Sequence, residues 1–327
     1  MSERLVWQDV ETARERIEPF ARRTPVETCR TIDATCGGTV FLKCENFQRT
    51  GSFKFRGATN AIASLSPSER ARGVYAPSSG NHAQAVALAA KLHGIPAHLV
   101  MPEDSNPAKV AATRGYGARI VFCPATHEGR REMAARVGEE TGATLVHSHD
   151  DVRVIAGQGT ATWELIDDVG KLDLVLAPVG GGGLLSGTLI AARHLLPHVR
   201  VIGCEPEGAD DAARSLRTGV RVTDFVPRTI ADGLRTPLGE NGFAILRRDL
   251  DDIVLVSERE IVDAMRFVWE RAKLVIEPSS AVAVAPLLVG KVDVRGKRVG
   301  VILSGGNVDF APYFAALDGQ AHGPRSA

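Results

Sequence analysis

Nine short apolar runs alternate with helical patterns along almost the whole chain, and that alternation leaves few architectures open. The runs cover residues 40–43, 73–76, 97–101, 119–122, 144–147, 172–177, 201–204, 253–256 and 299–303. Helical spacing of apolar residues falls between them, at 81–93, 108–114, 130–140, 155–167, 184–196 and 258–271. The last helix is announced by Ser257 with Glu260 three residues on, a capping box. Strands that are apolar throughout need cover on both faces, so the pattern predicts an α/β fold of doubly wound units with mostly parallel sheets. Ligands in such sheets sit beyond the carboxyl ends of the strands, in the loops that open the helices.

The chain has 327 residues, enough for about two units of ~150. Its 39 Lys+Arg balance 39 Asp+Glu, and a neutral total argues against a polyanion binder, so no nucleic-acid partner is expected. Residues 174–192 carry no charge and are long enough to suggest a membrane span. Pro178 and the run Gly180 to Gly183 make them strand, loop and helix start instead. Five cysteines, an odd number without a C-x-x-C pair, fit reduced thiols in the cytoplasm. The N-terminal residues are charged every few positions and carry no secretory h-region, which agrees with a cytoplasmic location. Residues after Phe310, rich in Gly, Pro, Ser and Ala, read as a loosely held tail.

Four segments carry chemistry. Pro178-Val179-Gly180-Gly181-Gly182-Gly183-Leu184 follows a strand and opens a helix. Four glycines in a row remove every Cβ, so backbone N–H groups and a helix N-terminus can meet an anion such as a phosphate. The Lys-Ser/Thr of a P-loop is missing, and contiguous glycines differ from G-x-G-x-x-G. Lys54 lies between Phe53 and Phe55, where desolvation lowers an amine's pKa and makes it nucleophilic. The shortage of amines sharpens that reading, because only 8 of the 39 cationic residues are lysines. Ser78-Ser79-Gly80-Asn81-His82 also opens a helix and offers hydroxyl, amide and backbone donors to a carboxylate. Ser304, in Ser304-Gly305-Gly306-Asn307 after the last run, can bond a heterocycle at the sheet edge or simply end the strand.

Taken in order, with Val154-Ile155-Ala156-Gly157-Gln158-Gly159-Thr160 and Ile276-Glu277-Pro278-Ser279-Ser280-Ala281, these segments resemble the fold type II pyridoxal-phosphate enzymes of the serine/threonine dehydratase and serine racemase family. The resemblance runs from about residue 24 to 309. It implies a fold like the β subunit of tryptophan synthase, with the cofactor in a cleft between a large domain, 1–72 and 151–327, and a small inserted domain, 73–150. By the same resemblance Lys54 carries the pyridoxal 5'-phosphate aldehyde, Phe53 and Gly233 lie near the two ring faces, and Asn81 bonds the ring hydroxyl. Gly180, Gly181, Gly182, Gly183 and Leu184 hold the phosphate, and Ser304 faces the pyridine nitrogen. A neutral partner leaves that nitrogen largely unprotonated, which suits prompt β-elimination over a long-lived carbanion.

The implied reaction converts a β-hydroxy amino acid such as L-serine or L-threonine to a 2-oxo acid and ammonia. Ser78, Asn81, His82 and Arg130 then meet the substrate, and Lys54 removes the α-proton. Ser79 occupies the position that in racemases protonates the opposite face, which keeps serine racemisation as an alternative. Arg130 followed by Arg131, where the racemase pattern has an acidic second residue, raises 3-hydroxyaspartate as another substrate. In metal-responsive relatives, counterparts of Glu205, the Ala209 carbonyl and Asp211 hold Mg²⁺, Ca²⁺ or Mn²⁺; the bare acidic cluster also reads as a solvated helix start. A homodimer is implied, and too little chain follows Asp309 for an appended regulatory domain. A non-catalytic ligand-binding regulator of the same fold is the remaining reading.

Overall fold

The structure, a computed structural model, describes residues 5–105 and 107–310; the tail beyond Phe310 lies outside them. Ten strands are present among the described residues: β1 Val26–Thr28, β2 Thr39–Cys44, β3 Val74–Pro77, β4 Ala97–Pro102, β5 Arg119–Cys123, β6 Thr144–Leu145, β7 Leu174–Pro178, β8 Arg200–Pro206, β9 Asp252–Val256 and β10 Arg298–Leu303. They form two sheets, in the orders β1-β2-β10-β7-β8-β9 and β5-β4-β3-β6. Every pairing is parallel except β1 with β2. The expected α/β architecture with mostly parallel sheets is therefore the observed one. In the larger sheet the last strand among the described residues lies between two others: Val301 of β10 aligns with Leu42 of β2 on one side and Leu176 of β7 on the other.

Each apolar run found in the sequence contains a strand, and the differences lie at the ends. The run 144–147 is ordered as strand only at Thr144–Leu145, because the chain then turns at 147–150, where Asp150 N donates to His147 Nδ1. The helix expected at 258–271 is capped by Ser257, whose hydroxyl accepts from Glu260 N while the Glu260 carboxylate accepts from Ser257 N, as a capping box requires. It ends as α-helix at Phe267 and continues as a π turn, Val268–Ala272.

Apolar side chains cover both faces of the larger sheet. The core beneath the smaller sheet combines Val74, Ala76, Leu99 and Met101 with Ala83, Val86 and Ala90 of the helix Asn81–His93, and behind that helix lies the helix Lys54–Ala63, which adds Phe55, Ala58, Ala61 and Ile62. Its other side meets the helix Val152–Val169 at a glycine contact, where a Cβ on Gly157 would lie 2.6 Å from Gly57 Cα. No described helix is long and apolar enough to cross a membrane.

Candidate active site

A cleft of about 490 Å³ opens at the carboxyl ends of the strands. Phe53, Lys54, Ser78, Ser79, Asn81, His82, Arg130, Gly180 to Gly183, Leu184, Gly233 and Ser304 all line it, although 250 positions separate Lys54 from Ser304 along the chain.

Lys54 is the first residue of the helix Lys54–Ala63, and the segment before it is stitched to the end of β10. Phe53 N donates to Ser304 O at 3.0 Å, and Ser52 bridges Gly305. Lys54 Nζ donates to the Ser148 carbonyl at 2.8 Å and lies 5.1 Å from the centre of the Phe53 ring. Burial brings its pKa down from 10.5 to about 8, with Glu277 pulling the other way. A desolvated amine that gives up its proton this readily is a nucleophile and a base near neutral pH. Only the neutral amine attacks an aldehyde. The rate at which the cofactor-free protein captures pyridoxal phosphate is therefore expected to fall about tenfold per unit below pH 8 and to level above it. Stopped-flow absorbance across pH 6 to 10 measures this.

The glycine loop needs all its glycines. Gly182 has φ +89°, and a Cβ there would lie 2.6 Å from Leu238 Cδ1. On Gly181 it would lie 2.2 Å from Cγ of His149. The helix Gly183–Leu195 starts here, and its first-turn N–H groups have no intrahelical acceptors. With the helix dipole they form an anion cradle free of side chains. Gly181→Ala must displace the His149 ring or the loop, at about 1–3 kcal/mol. Expected is a loss of roughly 10- to 100-fold in affinity for pyridoxal phosphate, read from a fluorescence titration of the cofactor-free protein.

The helix Asn81–His93 presents a second N-terminus to the cleft, with Ser78, Ser79 and Gly80 leading into it. Asn81 Nδ2 donates to both oxygens of Glu277, at 2.9 and 3.2 Å, and Asn81 Oδ1 accepts from Asn307 Nδ2. Glu277, which the sequence offers only as part of a motif, is thus a site residue. Burial pushes its carboxyl up to about 7, with Asp232 adding to the push. His82 lines the same cleft. Its Nε2 is 2.8 Å from the Val146 carbonyl and must carry the proton, which leaves Nδ1 with a lone pair only. Burial pushes its pKa down to about 3, so the ring stays neutral and offers the cleft no cation.

The turn 147–150 does not itself cap the helix that follows it. Asp151 performs that task by accepting from Arg153 N at 2.8 Å. Asp150 accepts from Glu240 N and Asn241 N and caps a different helix, Glu240–Asp249. Ser148 holds Lys54, and the His149 ring lies against Gly181. Arg130 lines the cleft with its buried Nε lacking an acceptor.

Beneath the helix that carries Lys54 lies a buried charge cluster. Arg56, fully buried, donates to both oxygens of Glu45 and both of Glu164, at 2.7 to 2.8 Å. Buried Lys43 bonds Glu164 at 2.6 Å and the Thr24 carbonyl at 2.7 Å.

Glu205, Ala209 and Asp211 lie apart from the cleft lining. Both Glu205 oxygens accept backbone N–H groups, from Ala212 at 2.9 Å and Ala213 at 3.0 Å, so the acidic cluster caps the helix Asp211–Thr218. Asp211 Oδ2 accepts from Leu238 N, while its buried Oδ1 has no donor. Burial pushes Glu205 up to about 8 and Asp211 up to about 6. Among the described residues no three His, Cys, Asp or Glu side chains converge as metal ligands.

Comparison with known proteins agrees with this geometry. The profile of the family described as pyridoxal-phosphate dependent enzyme matches residues 17–305. L-threo-3-hydroxyaspartate ammonia-lyase of a Pseudomonas species is 50% identical over 96% of this chain and 98% of its own. Serine racemase of Schizosaccharomyces pombe is 46% identical over 96% of this chain and 98% of its own. The crystal structure of serine racemase from Dictyostelium discoideum superposes with a TM-score of 0.89, at 46% identity, over 93% of this chain and 99% of that one.

Proposed function

The chain belongs to the pyridoxal-phosphate dependent enzymes, and from that premise we propose that it dehydrates a β-hydroxy amino acid, with 3-hydroxyaspartate the preferred class, to a 2-oxo acid and ammonia. Elimination from a hydroxy amino acid is supported by the relatives as a group; the preference for a dicarboxylate is our reading, supported by the Pseudomonas relative's named substrate and by Arg130, whose Nε lacks an acceptor in the cleft.

The residues present fit the cofactor. A Cβ-free cradle stands at a helix N-terminus, and a desolvated amine lies in the same cleft. Lys54 with its lowered pKa beside that cradle is the observation that carries the proposal. When bound, pyridoxal phosphate supplies an aldehyde for amines and a ring that draws electrons from the carbon next to the nitrogen. The protein does the rest. Gly180 to Gly183 and Leu184 would hold the phosphate, and Ser304 and Asn81 the ring edge. The N-terminus of the helix Asn81–His93, with Ser78 and Ser79, grips the α-carboxylate and so fixes which face of the α-carbon meets Lys54. Lys54 then takes the α-proton, an act worth about 10²- to 10⁴-fold in rate.

Ser79 in the same cleft supports a second activity, racemisation of serine. Incubation with L-serine, D-serine, L-threonine and the hydroxyaspartate diastereomers, following ammonia, 2-oxo acid and D-serine, tests both readings. Ammonia from none of them overturns the proposal; serine turnover with no hydroxyaspartate turnover overturns the dicarboxylate preference.

A divalent cation held by Glu205, the Ala209 carbonyl and Asp211 belongs to the same proposal. Its support is the donor-free Asp211 Oδ1 and two carboxylates that burial, with the neighbouring Asp210 adding to it, keeps above their ordinary range. Chelation and Glu205→Ala are each expected to lower activity and thermal stability, and an enzyme indifferent to both has no such cation. The resemblance also carries a homodimer, which sedimentation of the pure protein decides.

A further inference from the structure

We propose that His149 is the acid that delivers a proton to the departing β-hydroxyl; the inference rests on the dehydration reading above. Hydroxide is a poor leaving group, so the C–O bond needs a proton donor as it breaks. Few groups in the cleft can serve. Lys54 is occupied with the α-proton. His82 donates its only ring N–H to Val146, Glu277 accepts from Asn81 and Asn307, and Asp232 is paired with Lys109 at 2.9 Å. Asp104 is exposed.

His149 differs from all of these. Its Nδ1 lies 2.9 Å from Ser148 Oγ, which leaves Nε2 as the ring nitrogen available to the cleft it lines. Its ring lies on Gly181 and its backbone on Gly183, the two glycines that open the helix cradle. It also lines a second cavity of about 720 Å³, with Arg131, Arg221 and His147, whose ring meets it edge-on at 4.6 Å. The imidazole thus stands between the reacting cleft and a second cavity, from which solvent can return its proton.

The step balances. The Cα–H electron pair becomes the Cα–Cβ double bond while its proton passes to Lys54. The Cβ–O pair leaves with oxygen, which takes the proton from His149 Nε2 and departs as water, and the imidazole regains a proton from water in the second cavity. Burial, with His147, Lys54, His82 and Arg221 alongside, holds the ring well below its ordinary pKa while the cradle lacks an anion. A phosphate on the glycine loop adds the opposite charge at the ring's face and favours the imidazolium. The acid is therefore formed only when the cradle is filled.

A leaving group that needs no proton isolates this role. With His149→Asn, turnover of L-serine or 3-hydroxyaspartate is expected to fall about 10²- to 10⁴-fold, while β-chloro-L-alanine, which expels chloride, is spared, so the chloride-to-hydroxyl ratio of kcat rises at least about 100-fold. The absorbance of the bound cofactor should match that of the parent. In the cofactor-free protein, inorganic phosphate should raise the NMR titration midpoint of the His149 ring. An equal loss on both leaving groups, an unchanged ratio, or a ring whose titration ignores phosphate overturns the assignment. A parent enzyme that eliminates from neither substrate overturns the dehydration reading instead.

Discussion

Lys54→Ala is expected to yield a folded protein that holds pyridoxal phosphate without a borohydride-reducible bond and has lost at least about 10⁴-fold in kcat. Two functions end together, because the same amine anchors the cofactor and abstracts the α-proton. Fold should survive: Lys54 makes one hydrogen bond, to the Ser148 carbonyl, and the packing beneath it comes from Phe55, Ala58 and Ile62. None of the other seven lysines lines the cleft except Lys109, which is paired with Asp232. A reducible chromophore in the variant, or a kcat within tenfold of the parent, would show that another amine does the work.

Arg56→Ala is expected to cost about 3–5 kcal/mol of stability, because it strands Glu45 and Glu164 as buried, uncompensated carboxylates. The exposed pair Arg136–Glu140, at 2.6 Å, has a comparable distance and a different environment; Arg136→Ala should move stability far less than Arg56→Ala. Desolvation decides between them, since neither charge of the exposed pair leaves water. Urea-denaturation midpoints for the two variants supply the comparison. Equal shifts would mean that the buried cluster is solvated in solution.

The sheets were readable in the sequence because their strands are buried on both faces and so form unbroken apolar runs. The three residues of β1, Val26–Thr28, lack such a run; they are half-buried or exposed and become a strand only by pairing with β2. The helix Lys54–Ala63 was hidden for the opposite reason. It is enclosed on nearly every side and buries Arg56, Thr59 and Asn60, so no polar face alternates with an apolar one. Cofactor candidates were legible through glycine runs and one unusual lysine. Glu277 and His149 were not, because their importance comes from partners 196 positions away in one case and from a ring laid on a glycine in the other.

The position of β10 between β2 and β7 imposes an order in time. The smaller sheet draws its strands from one stretch, Val74 to Leu145, and can pair as soon as that stretch leaves the ribosome. The larger sheet cannot be complete before residues 298–303, because β10, which joins β2 to β7, follows every other strand among the described residues. Phe53, whose N–H bonds Ser304, waits with it, and the neighbouring lysine reaches its final place only then. A ribosome stalled before residue 298 therefore carries a chain in which one sheet can be complete and the reactive amine still has no seat.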